Sequence, residues 1–328
     1  SHDGYYAGIA DRWAIRAHSS MGTQTYDKNS NCPQGFSYSQ RIYTTSADGG
    51  NAGKYYVFDT KLEGQDLRDF AKGLSGAKPF TLSFYVKCNI NRVFTCELRD
   101  LDNNRMCVQQ YTTTDSNWKR YVLTFPADTT GQFDSDNSAS LWVRFWLSAG
   151  ANFKSGTSQT TWGSVSDANI CPGQTGDLGG RVGDYWYVTG IQLEVGDKAT
   201  PFEHKSFIED KLRCYRYYYK PERGSNLLDL NGAGHRVADT MGAVVQAYPW
   251  PVEMRVSPTL SFDDNNGNSN RFAVNGSNNS TTFNVNLSLQ QNIQGIMGAF
   301  QYPHGITNIS ENESFRLWAY NFNASAEL

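Results

Sequence analysis

The chain has 328 residues, and its 29 basic against 32 acidic side chains give a net charge of −3, without the basic excess that nucleic-acid partners call for. No apolar run approaches membrane-spanning length and no signal peptide opens the sequence, so membrane insertion is not expected. Charged residues are only 19% and aromatics 14%, a balance suited to contact with sugars or another protein chain, in a length that favours two domains.

The opening SHDGYYAG reads as the cut edge of a longer polypeptide or an artificial start. Over 62–74, Leu67, Phe70, Ala71 and Leu74 share a helical face, with Gly73 as a stop. Segments 80–90, 93–99, 118–125, 141–147 and 185–195 alternate with period two and predict strands. Separated by Gly, Asn, Asp and Ser loops, they argue an all-β sandwich or jelly roll rather than a parallel sheet. Ser206-x-x-Glu209 is a capping-box pattern, and Ile208, Leu212, Tyr215 and Tyr219 continue a helix at spacings of four, three and four. Pro221 and Gly224 read as a linker. Beyond about residue 225, Asn266-Gly267 and Asn275-Gly276 are hairpin signals between apolar runs at 282–289 and 315–322. The last run is apolar on both faces, which predicts a second cover by a neighbouring subunit.

Six cysteines show no C-x-x-C pair and no zinc spacing; Cys88 and Cys96 lie in apolar runs and are expected to be buried thiols. The sequons at Asn278 and Asn308 sit in Asn/Ser-rich sequence and read as products of that composition. The stretch GIQLEVGDKATPFEHKS (190–206) gathers Glu194, Asp197, Glu203 and His204, either as a metal or acid–base site or as a junction. Ile191, Leu193 and Val195 anchor a strand there and Asp197 falls in a turn, which favours the junction.

Several motifs together resemble one class of protein. DRW (11–13), KLEGQDLRDFAKG (61–73), TLSFYVK (81–87), Trp118 before YVLTF, TGIQLEVGDKATPFEHKS and LRCYRYYYK are similar to the carbohydrate-binding-module-like jelly roll of bacteriophage tail-fibre and virion proteins. YPWPVEMRVSPTLSF (248–262) and the final AEL are similar to the small β-domain that follows it. Tyr215-Arg216-Tyr217 departs from that pattern, where Gln-Arg-Tyr is usual. The resemblance implies a homotrimeric phage structural protein, partnered by other tail or virion proteins, assembled in the bacterial cytoplasm and exposed in the virion. It implies attachment to a host cell-surface glycan, and jelly rolls of this kind often hold a structural calcium. The expected domains are 1–202 (jelly roll), 203–222 (helical neck or linker) and 223–328 (a small, oligomerising β-domain).

The strand alternation suggests where a sugar binds. With Leu82, Phe84, Val86, Phe94, Cys96, Leu98, Val143, Phe145 and Leu147 facing the core, the opposite faces carry Tyr85, Lys87, Glu97, Arg99, Trp142, Arg144 and Trp146. Rings that cover the C–H face of a pyranose, beside polar side chains that pair with hydroxyls, are what sugar recognition needs. The same face equally suits packing against a helix, a loop or another chain. Trp162, in a Ser/Thr/Gly-rich loop, is either a ligand platform or a plug of the sandwich end. Catalytic signatures are missing: there is no G-x-S-x-G elbow, H-E-x-x-H or P-loop, and the five His are scattered. A glycosidase needs only two carboxylates brought together by the fold, so a capsular-polysaccharide depolymerase stands as a third reading after a glycan-binding and a purely structural virion protein. Asp100, Asp102, Asp134 and Asp136 read as turn residues, and Asp134-x-Asp136-Asn137 lacks the Gly and distant Glu of a calcium loop.

Overall fold

The computed structural model describes residues 2–4, 9–18, 21–220, 227–235, 242–263, 267, 269, 272–276, 279–285, 289–292, 294–301 and 314–327. The chain divides into two compact units, Ser1–His204 and Lys205–Glu327.

In the first unit the alternating segments build two antiparallel sheets. The first sheet runs, in spatial order, β1 (His2–Gly4), β2 (Ala14–Ala17), β5 (Tyr55–Glu63), β10 (Ala139–Ala149), β7 (Val93–Asp100), β8 (Arg105–Thr112) and β11 (Gly163–Ser164). The second runs β3 (Thr23–Asn29), β4 (Ser39–Ser46), β12 (Tyr185–Val195), β6 (Phe80–Cys88) and β9 (Lys119–Phe125). The chain passes from one sheet to the other at β2–β3, β4–β5, β5–β6, β6–β7, β8–β9, β9–β10 and β11–β12, the wiring of a jelly-roll-like sandwich.

Leu82, Phe84, Val86 and Cys88 meet Phe94, Cys96, Leu98, Val143, Phe145 and Leu147 across the sandwich, none more than 2% exposed. Burying each large apolar side chain contributes about 1.5–3 kcal/mol, whereas an exposed ion pair contributes about 0–1 kcal/mol, so this layer sets the fold. Trp13 closes one side of it, stacked on Phe58 at 4.5 Å between ring centroids. Cys88, Cys96, Cys107 and Cys171 are buried, unpaired thiols. Burial pushes Cys88 and Cys107 up to about 12, which makes them packing groups rather than nucleophiles.

Strand β12 changes face partway along. Trp186 and Val188 point into the core, but beyond a register shift between Thr189 and Gln192 it is Ile191 and Leu193 that pack against it. The extra residue is accommodated at Gly190, whose φ of 59° is costly for any residue with a Cβ. Outward positions are therefore Tyr185, Tyr187 and Thr189 above the bulge, and Gln192 and Glu194 below it.

The first predicted helix forms as a 3-10 turn, Gly64–Phe70, and ends sooner than expected because Ala71 adopts a left-handed φ of 49°. Three residues per turn superimpose Leu67 on Phe70, both buried, and leave Leu74 48% exposed instead of on the same face.

In the second unit, α1 (Phe207–Tyr215) starts as predicted, with Ser206 Oγ accepting from the Glu209 N–H at 3.2 Å. It stops at Tyr215, and Tyr219 lies instead in β13 (Tyr218–Tyr219), which pairs with β21 (Ser314–Ser325). Around β21 are also β14 (Leu227–His235), β16 (Thr259–Asp263) and β17 (Phe272–Gly276), the last paired with β18 (Asn279–Val285). A separate sheet joins β15 (Gly242–Pro249), β19 (Leu289–Asn292) and β20 (Gly295–Gln301). The Asn275-Gly276 signal ends β17, where Gly276 pairs with Asn279. Tyr219, Trp250, Phe262 and Phe322 are buried together, with Trp250 5.8 Å from Tyr219 and 6.3 Å from Phe322. The linker at Pro221 and Gly224, and the side chains of 315–320 that carry the double-cover expectation, lie outside the described residues.

Candidate functional site

On the outer face of the first sheet, Trp142, Arg144 and Trp146 follow one another along β10, and the Arg144 guanidinium lies 4.3 Å from the Trp142 ring centre and 4.7 Å from that of Trp146. Glu97 on neighbouring β7 fixes the ladder: it accepts from Arg144 Nη1 at 3.0 Å, from Trp146 Nε1 at 2.7 Å and from Arg99 Nε at 2.6 Å. Burial alone would raise this carboxyl, but the Arg144 and Arg99 charges and these hydrogen bonds outweigh it and hold Glu97 below the usual carboxylate range. Its neighbour Asp59 goes the other way, raised by burial against the opposing pull of Arg16, Trp142, Arg144 and Lys61.

This corrects the expectation of an open aromatic surface here. Segment 151–171 folds over the face, packing Ile170, Cys171 and Phe153 with Trp146, which is 2% exposed; Arg144 is 7% exposed. Trp142 keeps some exposure, but Arg144, Arg16 at 5.0 Å and Lys61 at 5.4 Å already attend its ring. Arg99 is held by Glu97.

Trp162 plugs the sandwich end. Its ring lies 5.6 Å from Phe80 and 5.2 Å from the Lys72 ammonium, and its Nε1 donates to the Pro126 carbonyl at 2.7 Å. Lys72 is itself buried in a cage made by the carboxylates of Asp100 and Asp128 and the carbonyls of Thr130 (3.1 Å) and Gly131 (2.6 Å).

Tyr85 lies on the opposite side of the sandwich, on the outer face of the second sheet, where another set of rings gathers. Tyr185 and Tyr187 flank the core residue Trp186 on β12, and their rings are 5.3 Å apart. Cross-strand pairing sets Tyr43 beside Tyr185, and Arg41 and Lys87 on either side of Tyr187. Trp118 approaches Tyr187 at 6.1 Å and donates through Nε1 to Asn31 Oδ1 at 3.1 Å. Asp27 accepts from Arg41 Nε at 2.7 Å, and that bond, with help from the Tyr187 hydroxyl, raises the Arg41 pKa against the opposing effect of burial. The result is a shelf in which Tyr43, Tyr185 and Trp118 are partly exposed around the buried Tyr187, interleaved with Arg41, Asp27, Lys87 and Asn31.

A wall bounds the shelf. Loop 30–38 crosses the face at the level of the β12 bulge, with Phe36 5.3 Å from Tyr85 and 5.1 Å from Phe202, while Tyr38 O accepts from Thr189 Oγ1 at 2.9 Å. Below the wall, the returning chain covers Ser83 and Thr81. Arg120 donates to Ser83 Oγ at 3.0 Å and to the Thr200 carbonyl, and Thr81 Oγ1 donates to Gly196 O at 2.7 Å. The carboxylate-rich stretch 190–206 is part of this latch. Glu194 accepts from Thr200 Oγ1 at 2.5 Å and from its N–H at 3.2 Å, and Gln192 accepts from the Glu203 N–H at 2.8 Å.

Sequence reading singled out Tyr85 and Lys87 but missed Tyr43, Tyr185, Tyr187, Arg41 and Asp27. The signal was there: Tyr185-Trp186-Tyr187 and Arg41-Ile42-Tyr43 each set one core residue between two outward ones. The turn reading holds for Asp136, which accepts from the Ser138 N–H at 2.8 Å, and for Asp100, which accepts from the Asn103 N–H at 3.0 Å as well as being buried against Lys72, whereas Asp102 joins two loops by accepting from the Asp134 N–H at 2.9 Å. Among the described residues, no group of three or more His, Cys, Asp or Glu side chains is placed to hold the calcium that the resemblance implies.

No protein-family model and no curated protein matches the chain. Among solved structures it is similar to the enzymatically active domain of tailspike protein 4 of bacteriophage CBA120, at 12% identity and a TM-score of 0.32 over 59% of this chain and 21% of that one. It therefore spans about a fifth of the tailspike chain. It is also similar to the family 11 carbohydrate-binding module of cellulosomal cellulase Lic26A-Cel5E of Clostridium thermocellum, at 14% identity and a TM-score of 0.31 over 58% and 91% of the two chains. A further similar structure is the xylan-binding domain CBM22-1 of Xyn10C from Paenibacillus barcinonensis, at 11% identity and a TM-score of 0.29 over 56% and 87%.

Proposed function

We propose that the chain is a non-enzymatic virion protein of the phage tail-fibre type, and that the tyrosine shelf attaches it to a glycan of the host cell surface. One observation carries the reading: Tyr43, Tyr185, Tyr187 and Trp118 share one partly open face with Arg41, Asp27, Lys87 and Asn31. The partly exposed rings of Tyr43, Tyr185 and Trp118, set around Tyr187, which is itself only 9% exposed, offer their faces to pyranose C–H groups, while the polar side chains exchange hydrogen bonds with ring hydroxyls.

The homotrimer belongs to the same proposal. Helix α1 leaves Phe207 75%, Ile208 64% and Leu212 42% exposed, an apolar surface that further copies of the chain would cover. A trimeric mass by light scattering is expected, and a monomeric mass removes this part.

The decisive experiment is binding to a glycan array and to intact host cells, with a Tyr185→Ala/Tyr187→Ala double variant beside wild type. Wild type is expected to bind, and the variant to lose at least tenfold in affinity, about 1.4 kcal/mol. Undiminished binding by the variant sinks the shelf. If wild type does not bind but particles assemble only when the protein is present, a purely structural collar or adaptor role takes its place. Release of reducing sugar from host capsule would instead establish a depolymerase.

A further inference from the structure

We infer that the cleft at the end of the sandwich, next to the tyrosine shelf, is a subsite for a carboxylate-bearing sugar unit such as a uronate or sialate. The inference rests on the shelf being the glycan-binding face. The cleft has a volume of ≈ 610 Å³ and is lined by Asn89, Arg92, Thr175, Asp177, Arg181 and Asp184, among others. That volume lies within the roughly 300–1,000 Å³ usual for small-molecule sites. Its lining is polar where drug-like sites are apolar, which suits a hydroxyl-rich ligand.

Cleft and shelf share backbone. Asp184 directly precedes Tyr185, and Asn89 ties the two together by accepting from the Tyr185 N–H at 2.8 Å and donating to Gly183 O at 3.1 Å. A chain of sugar rings lying across the partly exposed Tyr43 and Tyr185 thus runs off the sheet towards the cleft.

The charges in the cleft identify the terminal unit. Asp177 is engaged from behind, accepting from Lys54 Nζ and Ser148 Oγ, each at 2.5 Å. Asp184 is paired with Arg181 at 2.9 Å. Arg92 is left over: among the described residues its guanidinium has no hydrogen bond and no ion pair, and its side chain lines the opening. A guanidinium presents two parallel N–H groups that fit a carboxylate in bidentate fashion, a geometry that a sugar hydroxyl cannot match. Thr175 Oγ1 accepts from the Val93 N–H at 3.2 Å, so its own proton remains available to a ligand oxygen.

The test follows the backbone amide signals of Asn91 and Thr175 in the full chain by NMR, during titration with glucuronate, galacturonate and N-acetylneuraminate. Each acid is paired with its neutral counterpart, and glucose 6-phosphate is a further arm. At least one acid is expected to move these signals and to bind at least tenfold more tightly than its neutral partner. Arg92→Ala is expected to remove that preference, and Arg92→Lys to restore only part of it. The inference is overturned if no acid moves the signals, if only the phosphate does, or if Arg92→Ala leaves the acid-to-neutral ratio unchanged. The Tyr185→Ala/Tyr187→Ala variant separates this subsite from the shelf. It should keep the response to the free acid while losing affinity for the polysaccharide. If it keeps both, the shelf fails and the subsite stands.

Discussion

The outer faces of the two sheets are built from the same kinds of residue and end in opposite states. On the first sheet the Trp142–Arg144–Trp146 ladder spends its cation–π contacts on itself, Glu97 satisfies its polar groups, and segment 151–171 covers it. On the second, Tyr43 and Tyr185 stay partly exposed around the buried Tyr187, beside Arg41, Asp27 and Lys87. An outward aromatic is therefore not in itself a binding group. What decides is whether its ring faces and its hydrogen bonds are already taken within the molecule.

If the first face is structural and the second functional, substitutions must divide accordingly. The largest effect is expected from Glu97→Ala, which leaves two guanidinium groups and the Trp146 N–H without their buried partner and should cost about 3–5 kcal/mol of stability. Urea unfolding measures it, and glycan affinity of the folded fraction should stay at the wild-type value. A loss under 1 kcal/mol would mean that the ladder is solvated, and would reopen it as a site.

Gly190→Ala comes next. An added Cβ would sit 2.6 Å from the Phe36 ring at a φ of 59°. Strain at such a position costs of order 1–3 kcal/mol, and because Phe36 anchors the wall of the shelf, glycan affinity should fall along with the melting temperature. A melting temperature that falls with no change in affinity would detach the wall from binding.

Tyr187→Phe is milder. It keeps the ring but removes a hydroxyl that supports Arg41, so a two- to fivefold loss of affinity is expected, or about 0.4–1 kcal/mol, with stability nearly unchanged. Isothermal titration resolves that difference.

Acid titration gives the smallest and most diagnostic signal. Glu97 is depressed in the folded state, so it contributes stability above the unfolded glutamate value of about 4.3, and this is lost as pH falls below that value and through the folded pKa. Asp59 is raised, so its contribution has the opposite sign: it is present at low pH and lost as pH rises from about 3.9 through its folded pKa. In Glu97→Gln the fall of the urea midpoint with acid should be shallower than in wild type. Equal slopes would mean that Glu97 does not govern the acid limb.

The sandwich core was legible in the sequence, because alternation along 80–90, 93–99 and 141–147 is a local property and each predicted inward residue is buried. The capping box at Ser206 was legible for the same reason. Other features depend on contacts between residues far apart in the chain. That Ile170 and Cys171 lie over Trp146 follows from the path of a loop whose Ser, Thr and Gly carry no periodicity. The Tyr185/Tyr187 pair was obscured by the bulge, which inverts the pattern of β12 partway, so that counting outward residues from Ile191, Leu193 and Val195 assigns the upper half to the wrong face. In the carboxylate cluster that looked like chemistry, Glu194 to Glu203, the Glu194 carboxylate proved to be bonded to the Thr200 backbone, and Glu203 to be held through its own N–H by Gln192.

The cage around Lys72 has a consequence of another kind. Two carboxylates and two carbonyls converge there on a positive centre, much as oxygens converge on a hard divalent ion, but here the centre is the tip of a side chain. A tethered cation cannot be diluted away, exchanged or stripped by a chelator. This corner of the sandwich is assembled with its counter-charge the moment the chain folds, and it owes nothing to the ionic composition of whatever medium the protein later meets.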